Sequence, residues 1–222
     1  MAMVRRTHYL DLIRPFIGTD VIKVITGIRR CGKSVLLEQI RDEIRERSPN
    51  TKIVYLDLED KANAHFLKGN VLFEFLESEL KGRRGSPTAF LLDEVHDAEG
   101  WETTVNTIRK RKGADVYITG SNSKMLSGEL ATYLTGRYVE FQMAPFSYGE
   151  YREAVRGSAS ETGDRLFMKY LETGGMPFLP KLGFGTTGAR QYLEDLFWAI
   201  LSKDCSMNRQ PSRTMRSRCG CC

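Results

Sequence analysis

Apolar positions in the first half of the chain follow two alternating patterns. Four short runs are β-branched or apolar almost throughout, as expected for strands buried on both faces of a parallel sheet: 21–26, 52–58, 88–92 and 115–119. Apolar side chains at helical spacing precede or separate these runs and predict four helices: 7–17, 33–47, 71–81 and 101–112. This alternation predicts an α/β fold with a parallel sheet.

The pattern changes in the second half. A fifth strand is predicted over 137–143, and it ends at Ala144-Pro145. Three further helices are predicted by apolar spacing: 148–155, 164–173 and 187–201. The periodicity stops after Ser202, where Ser, Arg, Met and Cys dominate. We therefore expect three parts: an α/β core over 1–145, a small helical region over 146–202 and a disordered or non-native tail over 203–222.

Composition narrows the class of protein and its compartment. With 222 residues, 41% hydrophobic and 27% charged, the chain is long and apolar enough to fold. It has no apolar run approaching the roughly 20 residues of a membrane span and no secretory signal, so a cytoplasmic protein without a membrane partner is expected. Four of the five cysteines lie in the tail, so the folded part, with Cys31 alone, has no disulfide framework.

The net charge of +5 gives weak support to nucleic-acid binding, because most of it lies in the tail. The densest basic run in the folded part is Arg109-Lys110-Arg111-Lys112. It ends a predicted helix, where cations complement the helix carboxyl terminus, so a solvated cap is the simpler interpretation. The sequence carries no zinc-finger spacing, RNA-recognition signature or basic helix with heptads.

The strongest motif lies between the first predicted strand and the helix after it. Its residues, Gly27-Ile28-Arg29-Arg30-Cys31-Gly32-Lys33-Ser34, match the pattern G-x-x-x-x-G-K-[ST]. The glycines let several backbone amides point inward, and the helix that begins there adds its partial positive end, which favours phosphate. Lys33 is expected against the β- and γ-phosphates of a nucleotide, and the Ser34 hydroxyl is expected to bind Mg²⁺. With Val35, these residues form the predicted nucleotide-binding segment.

Two carboxylates follow the buried run Ala89-Phe90-Leu91-Leu92. The carboxyl end of a parallel strand lies at the edge where such sheets bind ligands, beside the glycine-rich loop. Asp93 is therefore expected to hold Mg²⁺ through its water shell, and Glu94 is expected to polarise the attacking water. The alternative is a pair of solvated acids at the end of a strand.

A third segment, Gly120-Ser121-Asn122, follows the strand predicted over 115–119. If this strand lies between those of the loop and of Asp93, Ser121 or Asn122 faces the γ-phosphate and senses its loss. The alternative is an ordinary turn, which the same residue types favour.

Cys31 is a further candidate for chemistry. Its thiol lies among helix-start amides and beside Lys33 and Arg30. These surroundings predict a lowered pKa and a reactive thiol, whose alkylation should block nucleotide binding.

The order of these motifs resembles that of the prokaryotic AAA+-type ATPases whose core precedes a domain of unknown function. The resemblance covers about residues 1–202 and rests on six segments: 25–34, 91–95, Trp101, 118–121, 134–137 and 145–151. It implies the additional-strand (ASCE) P-loop fold, with sheet order 5-1-4-3-2 and ATP as the nucleotide. It also implies that Arg137 acts as an arginine finger or sensor, the alternative being a solvated arginine at a strand start.

The chain departs from the family pattern in two places. Where relatives commonly have Gln, this chain has His96, which is either a surface imidazole or a group that touches the water near Glu94. Relatives continue past a pair resembling Lys203-Asp204 into a winged-helix region and the domain of unknown function. This chain instead runs into its cysteine-rich tail. We therefore expect a truncated core whose effector domain or protein partner is missing.

These residues and the resemblance predict an ATPase core that hydrolyses Mg²⁺-ATP, with a homo-oligomer among its expected assemblies. One alternative is a nucleotide-gated binding module that switches between partner-binding states without efficient turnover. Another is a P-loop kinase, although the Asp93-Glu94 pair favours water as the acceptor. A GTPase is not expected, because the sequence has no Asn-Lys-x-Asp segment to read guanine.

Overall fold

A central parallel sheet organises the computed structural model of this protein, which describes residues 3–81, 87–121, 134–156, 163–182 and 186–205. Its strands are β1 (Ile22–Gly27), β2 (Lys52–Asp57), β3 (Thr88–Asp93), β4 (Ala114–Ser121) and β5 (Tyr138–Met143). They are ordered β2-β3-β4-β1-β5, and each pair of neighbours is parallel. From the opposite edge this is the order 5-1-4-3-2, so the predicted α/β P-loop architecture is confirmed.

The described helices follow the predicted pattern closely. They are α1 (Thr7–Ile13), α2 (Lys33–Arg47), α3 (Val71–Lys81), α4 (Trp101–Ile108), α5 (Tyr148–Val155), α6 (Gly163–Thr173), α7 (Leu179–Leu182) and α8 (Thr186–Cys205). Short 3₁₀ helices add 14–16, 61–67 and 95–97. Among the described helices, none combines the length and apolarity needed to cross a membrane.

Some bounds differ from the prediction. Helix α4 ends at Ile108, its last buried residue, because the chain then turns through Gly113, which has a φ of +81°, into β4. The 3₁₀ helix at 61–67 was not predicted, since its single buried residue, Phe66, creates no period; its ring lies 4.8 Å from that of Phe75. Helix α8 continues to Cys205, and the rest of the predicted tail lies outside the described residues.

Each strand contributes to two hydrophobic cores, because alternate side chains project to opposite faces of the sheet. On one face, strand residues such as Leu92 pack with helices α3 and α4. On the other, residues such as Leu91 pack with α1 and α2. Burying one leucine of this kind contributes about 1.5–3 kcal/mol relative to exposure. Burial on both faces explains the unbroken apolar runs in the sequence.

A buried ion pair ties the start of the sheet to the segment before it. Lys23 of β1 is fully buried, and its Nζ contacts Asp115 of β4 and donates to the Thr19 carbonyl at 2.8 Å. Asp115 also accepts hydrogen bonds from the Gly18 amide at 2.8 Å and the Tyr117 hydroxyl at 2.9 Å. Each polar group in the cluster has a partner, so no buried charge is left uncompensated where β1 and β4 begin.

A second buried cation connects the amino-terminal segment to the helical region. Arg6 is 2% exposed; its Nη2 donates to the Ala144 carbonyl at 2.7 Å, and its Nε lies 3.0 Å from Glu150 Oε1 of α5. The guanidinium also lies over the rings of Tyr9 and Phe146, at 4.9 Å and 5.1 Å from their centroids. Arg6 therefore holds α5 against the sheet near the end of β5.

Candidate functional site

The glycine-rich loop joins the end of β1 to the start of α2, as predicted. At Gly27 a Cβ atom would lie 2.5 Å from the Met143 carbonyl oxygen and 2.8 Å from Cys31 Sγ, so only glycine fits. Gly32 precedes the helix with a φ of +103°, a conformation that glycine adopts without strain. The loop therefore curls around the amino end of α2, where free backbone amides favour phosphate.

The side chains in the middle of the loop are exposed or paired with another segment. Ile28 is 41% exposed, and Arg30 is exposed with a φ of +67°. Arg29 turns away to pair with Glu59, with 2.9 Å between its Nη2 and Oε1.

Lys33 folds back over the loop. The residue is 5% exposed, its Nζ lies 3.3 Å from the Gly27 carbonyl oxygen, and Glu94 Oε1 lies 3.4 Å from the same nitrogen. Ser34 and Val35 are exposed at the first turn of α2. The structure thus brings the loop lysine and the second acid together from segments far apart in the sequence.

Asp93 is the last residue of β3 and is 2% exposed. Its Oδ1 accepts a hydrogen bond from the Thr119 hydroxyl, and its Oδ2 accepts one from the Tyr55 hydroxyl at 3.2 Å. The interpretation of two solvated acids is therefore wrong, since Asp93 is buried and the Glu94 side chain is 16% exposed.

Glu94 has an uncommon backbone conformation for a side-chain-bearing residue, with a φ of +52°. Its amide donates to Thr119 Oγ1 at 2.9 Å. Burial raises the pKa of the Glu94 carboxyl, and the nearby Lys33 ammonium opposes that shift. The carboxylate is thus a stronger proton acceptor than an exposed glutamate.

His96 contacts Glu94, so its interpretation as a surface imidazole is wrong. The side chain is 6% exposed; Nδ1 lies 3.3 Å from Glu94 Oε2, and Nε2 lies 3.4 Å from Asp97 Oδ1. The 3₁₀ turn at 95–97 follows Glu94 directly, which brings the imidazole and the acid together. Lys33 and His96 therefore face the two oxygens of the same carboxylate.

The predicted reactivity of Cys31 is contradicted. The residue is fully buried, and burial raises the pKa of its thiol more than the charges of Lys33 and Arg6 lower it. The sequence shows the neighbouring cations but not the side chains that exclude water from the sulfur. Cys31 contributes to packing under the loop.

Iodoacetamide is accordingly expected to modify Cys31 at least about tenfold more slowly in the folded protein than in denaturant, because the reaction requires local opening. Peptide mapping by mass spectrometry measures the rate at Cys31 separately from the four tail cysteines, whose modification in denaturant verifies the reagent. Equal rates in the two conditions would contradict a buried thiol.

Arg137 lies far from the loop in its own subunit. Its carbonyl accepts a hydrogen bond from the Ile22 amide, at the start of β1, whereas the loop follows the other end of that strand. The five steps from the first to the last residue of β1 span about 17 Å at roughly 3.3 Å per residue. A sensor in the same subunit would have to span this distance, so the position fits an arginine finger toward a second subunit better; both roles stay predictions.

The third predicted segment is only partly described. Strand β4 lies between β1 and β3, as its predicted role requires. Asn122 lies outside the described residues, and Ser121 is described only as the last residue of β4. Sequence analysis missed two residues at this site, Thr119 and Tyr55, whose hydroxyls donate hydrogen bonds to Asp93. Thr119 ends the strand predicted directly before that segment, but only the pairing of β3 with β4 places it beside Asp93.

Comparison with known sequences identifies a family. Residues 19–152 match the AAA_14 family model, described as an AAA domain, which is more than half of the chain. An uncharacterised protein from Haemophilus influenzae is 41% identical over 178 residues, covering 79% of this chain and 44% of the relative. An uncharacterised protein from Methanocaldococcus jannaschii is 32% identical over 130 residues, covering 59% of this chain and 28% of the relative. The chain thus spans less than half the length of these curated relatives.

Solved structures share the fold at low identity. Caenorhabditis elegans PCH-2 has a TM-score of 0.55 and 15% identity, covering 87% of this chain and 66% of that chain. The Saccharomyces cerevisiae Hsp104–ADP complex has a TM-score of 0.57 and 17% identity, covering 79% and 29%. AMPPCP-bound DnaA from Aquifex aeolicus has a TM-score of 0.50 and 14% identity, covering 87% and 62%. The chain belongs to the AAA_14 family of AAA domains, and its core has the fold of an AAA+ P-loop ATPase.

Proposed function

We propose that this chain binds ATP together with Mg²⁺ and hydrolyses the bond between its β- and γ-phosphates. The observation that carries the proposal is the 3.4 Å approach of Lys33 Nζ to Glu94 Oε1 at the carboxyl edge of the sheet. A cation suited to phosphate and a buried carboxylate suited to activating water meet there beside a helix amino end. The ADP and AMPPCP bound to Hsp104 and DnaA support a nucleotide as the ligand.

The donor set at this edge fits Mg²⁺. The exposed Ser34 hydroxyl and the Asp93 carboxylate are hard oxygen ligands of the kind that Mg²⁺ prefers. Ser34 would bind the ion directly, and Asp93 would bind its water shell. When bound, Mg²⁺ neutralises charge on the phosphate oxygens.

The contacts of Glu94 define its proposed role. Lys33 faces Oε1 and His96 faces Oε2 at 3.3 Å. When the Lys33 side chain moves from Glu94 to the phosphates, Oε1 becomes available to accept the proton of the attacking water. His96 then keeps the carboxylate oriented. The raised pKa of Glu94 favours proton transfer to this oxygen.

The proposal also includes a second subunit, which would supply an arginine to the site. Arg137 is exposed beside the amino end of β1, away from the loop of its own subunit, and we propose that it acts on the nucleotide of another copy. An arginine supplied in this way stabilises charge in the transition state of phosphoryl transfer. We propose a homo-oligomer for this reason, and we propose that an effector acts through the part of the curated relatives that this chain does not span.

The described contacts of the basic run give nucleic acid little support as a partner. Arg109 lies 3.5 Å from Asp20, and Arg111 lies 3.1 Å from Glu77. Half of the run is thus already paired with acids, as expected for the charged end of a helix.

Lys33→Ala is expected to weaken binding of a fluorescent ATP analogue by about 10- to 100-fold. The reason is that a hydrogen bond to a charged group contributes roughly 1.5–3 kcal/mol. Lys52→Ala is the matched control, because Lys52 pairs with Glu79 at the opposite edge of the sheet. Equal affinity in wild type and Lys33→Ala would overturn the proposed site. Tight binding without phosphate release by the wild type would favour the switch module over the enzyme.

A further inference from the structure

The Asp93 carboxylate is held on both of its oxygens by hydroxyl groups from the two flanking strands. Thr119 of β4 donates to Oδ1, and Tyr55 of β2 donates to Oδ2 at 3.2 Å. The strand register produces this arrangement, because Tyr55 lies opposite Leu91, whose side chain projects to the same face of the sheet as that of Asp93. The carboxylate plane is therefore fixed between neighbouring strands.

Thr119 makes a second contact that fixes the direction of its own hydroxyl. Its Oγ1 accepts the Glu94 amide at 2.9 Å, and the residue is fully buried. An amide only donates and an ionised carboxylate only accepts, so the hydroxyl proton must point toward Asp93. One buried side chain thus orients the carboxylate of Asp93 and the backbone of Glu94 together.

We propose that Thr119 and Tyr55 are positioning residues for Mg²⁺: their hydroxyls orient Asp93 for the metal's water shell, and Thr119 also places Glu94. The inference rests on the proposed function, since it concerns the same metal–nucleotide site. Groups that orient a metal ligand in this way typically change metal affinity by about 10- to 100-fold when removed.

The test measures how binding of a fluorescent ATP analogue depends on Mg²⁺ concentration. Thr119→Val keeps the shape of the side chain and removes its hydroxyl, and Tyr55→Phe does the same on β2. The Mg²⁺ concentration for half-maximal effect is expected to rise about tenfold in Thr119→Val and a few-fold in Tyr55→Phe. Affinity in EDTA is expected to stay within about twofold of wild type, because neither hydroxyl is placed against the phosphates. Thr119→Ser retains the hydroxyl and should restore the wild-type dependence.

Two control variants separate a metal effect from general loss of stability. Thr88→Val changes a buried threonine at the amino end of β3. Tyr117→Phe removes another hydroxyl that donates to a carboxylate, that of Asp115, away from the site. Both should bind Mg²⁺ and nucleotide as wild type does.

Each outcome decides between distinct conclusions. An unchanged Mg²⁺ dependence in both Thr119→Val and Tyr55→Phe overturns the positioning role and leaves the proposed function standing. Absence of nucleotide binding by the wild type overturns the proposed function and the inference with it. If thermal melting shows that Thr119→Val is unfolded, the Mg²⁺ dependence of Tyr55→Phe alone tests the proposal. Tyr55 is half-buried on the edge strand β2, and the substitution to phenylalanine keeps its ring.

Discussion

Glu94→Gln is expected to lower phosphate release from Mg²⁺-ATP by about 10²- to 10⁴-fold while the nucleotide stays bound. Glutamine keeps the size of the side chain and leaves Lys33, which lies 3.4 Å from Glu94 Oε1 in the wild type, available for the phosphates. It cannot take up a proton from the attacking water, so the chemical step alone is lost. Phosphate release and binding of a fluorescent ATP analogue, measured on the same samples, separate these two effects.

Glu79→Gln is the matched control for this experiment. Glu79 pairs with Lys52 at 2.6 Å, near the amino end of β2, and should be replaceable with little effect on turnover. Preserved phosphate release in Glu94→Gln would reject Glu94 as the base. The series should span a range of protein concentrations, because turnover per subunit that rises with concentration would indicate a shared site and make Arg137 the next residue to replace.

The sequence predicted elements well where a local pattern controls them. Helix α2 has its predicted bounds, because the loop motif marks Lys33 as its first residue and apolar positions continue at helical spacing to Ile44. Strand β3 was recognisable because it is apolar on both faces until Asp93. The sheet order has no local signal, since it depends on pairing between distant segments, and it came from the family resemblance.

Burial was the main quantity that the sequence did not reveal. Cys31 and His96 were both interpreted from their chain neighbours, and both are covered by side chains from other segments. The contacts of Thr119 and Tyr55 with Asp93 likewise depend on strand register. Arg137 is different: it is the first residue of a predicted strand, so its place at the amino edge of a parallel sheet, away from the loop, follows from strand direction alone.

The second large effect concerns stability. Asp115→Ala is expected to lower the free energy of unfolding by about 3–5 kcal/mol, because it leaves the buried Lys23 ammonium without its carboxylate. It also removes the acceptor of the Gly18 amide and of the Tyr117 hydroxyl. Urea unfolding measures the loss, and melting should fall by roughly 10 °C, at about 2–4 °C per kcal/mol for a chain of this size.

Asp20→Ala is the control in the same region. Asp20 pairs with Arg109 at 3.5 Å, but its side chain is 77% exposed, so the loss should stay below about 1 kcal/mol. Equal losses in the two variants would contradict the special role of the buried pair. Replacing Lys23 and Asp115 together with apolar residues of similar size should recover much of the stability, since no uncompensated charge then remains.

The pH dependence of Asp115→Ala supplies an independent check on the cause. Burial already lowers the pKa of Lys23, and Asp115 opposes that shift in the wild type. Without Asp115 the folded-state pKa falls further below the unfolded value, so the unfolded chain binds more protons than the folded one. The stability of the variant should therefore rise as pH increases through the folded pKa toward the unfolded one, narrowing its gap to the wild type. A gap that is constant between neutral and alkaline pH would assign the destabilisation to the lost hydrogen bonds of Gly18 and Tyr117 instead.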